Sequence, residues 1–219
     1  MPDLYSGWDD YYRAGTLGVP VWSESPPDFV KDFRKVLPTG SKILEMCAGD
    51  GRITALLLRW GLVVTALDLS PAALKQMRAN LERVGCACPM MVQGSVLDIP
   101  LADEQFDAVV CVDGFCQIDL PRDAMREVAR MLRTGGKFCL NVFTPADETC
   151  GCGEQIGAQD YMYRGTLFKF FNSEQFAGIY EGIFNLVEVS HSRWTDPPHG
   201  EFRPVTHTHD ALIYTLEKI

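Results

Sequence analysis

K-I-L-E-M-C-A-G-D-G-R, residues Lys42 to Arg52, decides how this chain is read. It enters on apolar Ile43 and Leu44 and carries an acid at Glu45. It leaves through two closely spaced glycines, Gly49 and Gly51, into an amphipathic run from Ile53 to Trp60. That order predicts a strand, a tight turn and the start of a helix. Glycine has no Cβ, so such a turn lets backbone N–H groups come close to a ligand at a helix N-terminus. Taken alone it is a nucleotide-type loop of low specificity.

Working outward, Leu62 to Leu67 predicts a second strand ending at Asp68. It is almost continuously apolar, as a strand covered on both faces should be. Ser70-Pro71 is a helix start, with serine at the cap and proline just inside, and Gly85 ends that helix. Met90 to Gln93 and Phe106 to Val112 predict further strands. A helix from Leu120-Pro121 carries Met125, Val128, Ala129 and Leu132, is stopped by Thr134-Gly135-Gly136, and leads to a strand over Lys137 to Phe143. Upstream, Pro26-Pro27-Asp28 opens a helix with Phe29, Phe33, Val36 and Leu37 on one side. Downstream, residues 145–165 read as a long loop, and Ser173 caps a helix to about Tyr180. Phe184 to Ser190 and Asp210 to Leu216 are two closing strands. Strand–helix alternation implies a parallel sheet with helices on both faces. The closing strands are joined by a loop, so they pair antiparallel. The fold class is α/β: a Rossmann-like seven-stranded sheet, mostly parallel, with an antiparallel last strand.

The 219 residues carry a formal charge of −9, with 47% hydrophobic and 22% charged side chains. That balance argues against nucleic acid or an anionic membrane as partner, since both need basic patches. A monomer or homodimer is expected. The N-terminus lacks a basic-then-apolar signal, and the apolar stretch Ala55 to Leu67 is interrupted by Arg59, so a cytoplasmic location is expected. Eight cysteines in such a setting are expected to be reduced thiols. The pairs Cys86/Cys88 and Cys150/Cys152 have Cys-x-Cys spacing, poorer for zinc than Cys-x2-Cys, and no metal is assigned to them.

In open α/β sheets ligands bind beyond the carboxyl ends of the strands. Here those ends carry Glu45 to Gly51, then Asp68, then Gly94-Ser95-Val96. With these residues the chain resembles class I S-adenosylmethionine (SAM) dependent methyltransferases over roughly residues 40–145. Their acid-x-Gly-x-Gly-x-Gly motif corresponds to Glu45-x-Cys47-x-Gly49-x-Gly51. The resemblance implies SAM as cofactor. Glu45 then sits near the methionine amino group, and Cys47, Ala48, Gly49 and Gly51 give backbone contacts. Asp68 lies on the ribose hydroxyls, Leu69 on the adenine, and Ser95 and Val96 at the adenine edge; Asp113 is a further candidate at the amino group. Cys47 replaces the usual glycine, Ser95 a common aspartate, and Thr134 the proline of Leu-x-Pro-Gly-Gly. More weakly, W-D-D-Y-Y-R-A-G, E-T-C-G-C-G-E-Q-I-G and F-x-F-F-x-S-E-Q-F resemble the tellurite- and thiopurine-methyltransferase type.

The implied function is methyl transfer by in-line displacement to a small-molecule acceptor, within a single domain over residues 1–219. Its parts are an aromatic, helical cap (1–38), a SAM-binding core (41–145) and a substrate-side loop with closing strands (146–219). Asp113 and His207 are candidate catalytic groups; Trp22, Gln117 and Tyr163 are candidate substrate contacts. Trp8, Tyr11 and Tyr12 share a helical face that either packs on the domain or forms a flap over the site. His207 and His209 alternate, so both share one face of a strand, either as a surface pair on an edge strand or with His207 at the pocket mouth. Two other functions remain. An NAD(P)-dependent oxidoreductase is disfavoured because Gly49-Asp50-Gly51-Arg52-Ile53-Thr54 lacks the third glycine of Gly-x-Gly-x-x-Gly. A non-enzymatic SAM-binding regulator is compatible with every motif above.

Overall fold

The computed structural model describes residues 6–14, 26–198 and 203–219, so Trp22 and His199 lie outside it. The chain opens with α1 (Ser6–Arg13) and α2 (Asp28–Asp32), which runs on as a 3-10 turn over Phe33–Lys35. Then come β1 (Lys42–Met46), α3 (Arg52–Arg59), β2 (Val63–Asp68), α4 (Pro71–Arg83) and β3 (Met90–Gln93). β4 (Phe106–Cys111), α5 (Pro121–Met131) and β5 (Leu132–Phe143) complete the alternating part. Short strands β6 (Glu154–Gln155), β7 (Asp160–Tyr163) and β8 (Thr166–Lys169) follow, then α6 (Ser173–Tyr180), β9 (Phe184–Asp196) and β10 (His207–Lys218).

The main sheet has seven strands in the order β3-β2-β1-β4-β5-β10-β9. The first five are mutually parallel, and β10 runs antiparallel to both β5 and β9. The expected architecture, with its reversed last strand, is therefore present. The order reverses direction at β1, and the crevice outside β1 and β4 is where such sheets take ligands. Ile43, Leu44, Val109, Val110, Leu140 and Val142 are fully buried, as strands covered on both faces require. Phe33, Leu57, Val128 and Phe176 supply helical surface against them.

Several boundaries differ from the expectation for local reasons. Residues 145–165 are not a bare loop: β6 and β7, together with β8 just beyond, form a three-stranded antiparallel sheet. Its strands are only two to four residues long, too short to show an alternation. The α6 cap is Asn172 rather than Ser173. Asn172 accepts from the Gln175 N–H at 2.9 Å, while Gln175 Oε1 accepts from the Asn172 N–H at 3.0 Å, a reciprocal capping box. At Ser70 the expected cap is present, its hydroxyl accepting from the Ala73 N–H at 3.0 Å. β9 and β10 are each longer than expected, and β10 begins at His207 instead of Asp210.

Candidate functional site

The loop after β1 turns by three left-handed residues, Cys47 (φ 53), Gly49 (φ 57) and Gly51 (φ 89). A side chain at Cys47 therefore costs about 1–2 kcal/mol in backbone strain, which accounts for the glycine expected there. The Cys47 thiol is held above its ordinary value by a hydrogen bond with Cys111 and by burial, so it stays a thiol. At Gly49 the constraint is also spatial: a Cβ there would meet the Tyr12 hydroxyl at 2.6 Å. The loop is pinned from below by Asp68 at the end of β2. One Asp68 oxygen accepts from the Gly49 N–H at 2.8 Å and the other from the Ser70 N–H at 2.9 Å.

A cavity of about 290 Å³ opens beyond this loop. Glu45, Cys47, Ala48, Gly49, Asp68, Leu69, Ser95, Val96, Asp113 and Gln117 all line it. The sequence-predicted residues thus converge, with three exceptions. Gly51 is the left-handed cap of α3 and shapes the loop without lining the cavity. Tyr163 stands behind Arg203, whose guanidinium lies 4.7 Å from its ring centroid and 5.3 Å from that of Phe168. Arg203 and Phe168 line the cavity there, and Tyr163 does not. Trp22 lies outside the described residues. Neither Cys150 nor Cys152 lines the cavity, and all eight cysteines are free thiols.

The inner wall is acidic. Glu45 is buried and its carboxyl is pushed up to about 8, by burial first and by Asp68 and Asp50 nearby, against the Thr54 hydroxyl that donates to it at 2.6 Å. Burial also raises Asp68, opposed by the N–H groups of Ser70, Gly49 and Leu69. Asp113 is fixed rather than free to act as a base. It pairs with Arg52 at 2.9 Å and accepts from the Asn141 amide at 2.8 Å, while its own N–H donates to Asn141 Oδ1 at 2.8 Å. Gln117 donates to the Asp113 carbonyl at 2.9 Å. These bonds hold Asp113 at φ 57, a left-handed bend that aims the end of β4 at the cavity.

Helix α1 forms a further wall, through Trp8, Asp9, Tyr11 and Tyr12. Its aromatic face is one cluster, with Trp8 and Tyr11 centroids 5.7 Å apart and Trp8 and Phe168 6.2 Å apart. Asp9 anchors it, accepting from the Ser70 hydroxyl at 2.6 Å and the Ala72 N–H at 3.2 Å. The packing and flap readings of these aromatics thus merge: the helix packs on the domain and walls the cavity at once.

The remaining wall comes from the ends of β5, β9 and β10 and from Arg203 in the connection between the last two: Phe143, Asp196, Arg203, His207 and His209. Because β10 is reversed, its first residues lie where the parallel strands end. His207 and His209 are buried at 6% and 9% exposure, so they are not a surface pair; β10 is an interior strand flanked by β5 and β9. His209 stacks on Phe143 with centroids 4.7 Å apart, and its Nδ1 lies 2.8 Å from an Asp147 oxygen. Burial lowers the His209 pKa, but the Asp147 hydrogen bond and charge outweigh it and leave it raised. Sequence reasoning missed Asp196, Arg203, Asp147 and the Arg52–Asp113–Asn141 clamp. The alternation T-H-T-H-D was the one signal for this wall, and it required knowing that β10 is interior.

The methyltransferase domain family model matches residues 44–140. An uncharacterized methyltransferase of Mycobacterium tuberculosis is 35% identical over 123 residues, 56% of this chain and 48% of the relative. A ubiquinone biosynthesis O-methyltransferase of Xanthomonas axonopodis is 36% identical over 114 residues, 50% of this chain and 46% of the relative. The chain thus spans about half the length of these relatives. Among solved structures, the 1,6-didemethyltoxoflavin-N1-methyltransferase of Burkholderia thailandensis, with 1,6-didemethyltoxoflavin and S-adenosylhomocysteine bound, superposes with a TM-score of 0.66 at 20% identity. That match covers 100% of this chain and 90% of the other. The reversed seven-stranded sheet and the match over residues 44–140 agree: the chain has the Rossmann-like fold of these methyltransferase structures and matches the methyltransferase domain family over that stretch.

Proposed function

We propose that the protein transfers a methyl group from SAM to a small-molecule acceptor held against the wall formed by β5, β9 and β10. The observation that carries this reading is the chemistry of the inner wall. Burial raises the proton affinity of Glu45 and Asp68, the charge of Asp50 adds to both and that of Asp68 adds to Glu45, and a cationic ligand relieves that cost. SAM, with its sulfonium and ammonium charges, is such a ligand, and it supplies a methyl carbon already activated for displacement. The loop from Cys47 to Gly51 and the carboxylates of Glu45 and Asp68 would hold it, with Leu69, Ser95 and Val96 around the base. Methyl transfer of this kind depends chiefly on in-line positioning, worth up to ~7–11 kcal/mol when well oriented. Accordingly the chain invests in a clamped Asp113, a pinned loop and a packed α1. Phe143, Gln117 and Arg203 are the proposed acceptor contacts, and the enclosed volume of about 290 Å³ favours a small acceptor.

The test is calorimetric titration with SAM, followed by transfer of labelled methyl to a panel of hydroxyl, amine and thiol acceptors. Micromolar binding with label transfer is expected. Binding without transfer to any acceptor class would favour the regulator reading, and absence of binding would overturn both. The contribution of α1 is separable. Asp9→Ala removes the hydrogen bonds to Ser70 and Ala72, each of the charged kind worth about 1.5–3 kcal/mol, and should weaken SAM binding about tenfold or more. Unchanged affinity would show that the helix merely packs. Among the described residues no helix is long and apolar enough to cross a membrane.

A further inference from the structure

We propose that Asp196, His207 and His209 form a binding site for a divalent transition-metal ion, of the zinc type, at the acceptor end of the cavity. All three are buried, and one ligand atom from each lies within 4.8 Å of the others. Two imidazoles and one carboxylate make up the donor set of three-ligand sites that keep an open position for water or substrate. Drawing them to the usual ~2.0–2.2 Å around an ion requires the side chains to close by roughly an ångström, a rotamer-scale movement.

The outer hydrogen bonds already have the form such a site needs. Metal-bound imidazoles characteristically use their second nitrogen on a carboxylate or carbonyl, which sets the tautomer and aims the ring. His209 Nδ1 is 2.8 Å from Asp147 Oδ2, leaving Nε2, which lies 3.7 Å from Asp196 Oδ2. His207 Nδ1 is 3.1 Å from the Val205 carbonyl, an outer contact that aims the ring. Asp147 is itself fixed, accepting from the Thr149 N–H at 2.8 Å and from the Asp210 N–H at 3.1 Å. Phe143 stacks against His209 on one side and Trp194 lies 5.1 Å from it on another, giving the cluster an aromatic flank. The topology explains the assembly: β9 ends at Asp196 and β10 begins at His207, paired in register, so a reversed strand brings the three together at the ligand-binding edge.

The site's role rests on the methyl-transfer reading. An acceptor oxygen or sulfur bound at the open position would lose its proton to solvent. The new bond from that atom to the methyl carbon then forms as the carbon–sulfur bond of the sulfonium breaks. The electron pair returns to sulfur, leaving a neutral thioether. Metal binding itself does not depend on this reading and is measured without SAM.

The experiment adds Co²⁺ to the chelator-treated full chain and follows visible d–d absorption, with Zn²⁺ competition and circular dichroism to verify folding. One Co²⁺ per chain, displaced by Zn²⁺, is expected. Asp196→Ala and His207→Ala should abolish the bands while keeping the fold. Asp147→Asn, which keeps the side chain's shape but weakens its hydrogen bonds to His209, Thr149 and Asp210 without removing a ligand atom, should weaken binding about 10–100-fold. His191→Ala, at a half-exposed histidine outside the cavity, is the control and should leave the spectrum unchanged. Absence of the bands in the wild type, or their persistence in both ligand variants, would overturn the site. Full turnover by the chelator-treated protein would overturn its role. SAM calorimetry on the same preparations shows separately whether the methyltransferase reading holds.

Discussion

Asp68→Asn should abolish useful SAM binding as completely as Asp68→Ala. Both Asp68 oxygens already accept backbone N–H groups, from Gly49 and from Ser70. An amide at this position must turn its NH₂ toward one of those donors, whichever way it is flipped. The isosteric variant therefore opens the glycine loop and removes the acceptor proposed for the ribose at the same time. Two charge-assisted hydrogen bonds at about 1.5–3 kcal/mol each give a loss of at least ~100-fold in affinity, read by calorimetry. An Asn variant that binds like wild type would show that Asp68 neither holds the loop nor touches the cofactor.

The second large effect is on stability and concerns Glu45. Its carboxyl is raised to about 8 in the folded protein, from an ordinary value near 4.5. Between these values the folded state holds a proton that the unfolded state has released. Stability therefore falls as pH rises across that window and levels off above about 8. Glu45→Gln keeps an acceptor for the Thr54 hydroxyl and removes the titration. The variant should match wild type near pH 4 and gain on it by up to ~1.4 kcal/mol per pH unit through the window, read as a widening gap in denaturant midpoints. The same variant should bind SAM less tightly, because a cationic ligand loses a carboxylate. A pH-independent gap would place the Glu45 carboxyl in its ordinary range.

The sequence made the cofactor side legible because short-range rules govern it. Gly49 and Gly51 mark a turn that needs left-handed backbone, Ser70-Pro71 a capped helix, and Asp68 the end of a continuous apolar strand. The opposite wall was hidden because it depends on long-range pairing. Whether His209 faces solvent or core depends on β10 being flanked by both β5 and β9, partners distant in sequence or across a loop. Tyr163 was misplaced for a related reason: two- to four-residue strands carry too little periodicity to show which side chains turn inward. Asp113 was correctly placed at the cavity. Its clamp by Arg52 and Asn141 was not foreseen, since nothing local links those three positions.

The reversal of β10 also divides the molecule's inheritance. Every element that shapes the proposed cofactor cradle from β1 onward lies before residue 120, inside the stretch shared with the family. The Asp196–His207–His209 corner lies wholly after that stretch, on a hairpin that enters the sheet from the other direction. On the proposed reading, the cofactor cradle and most of the acceptor wall are written on separate lengths of chain that meet only in the folded sheet. Exchanging the β9–β10 hairpin between members of this family becomes a route to new acceptors that leaves the glycine loop and Asp68 untouched.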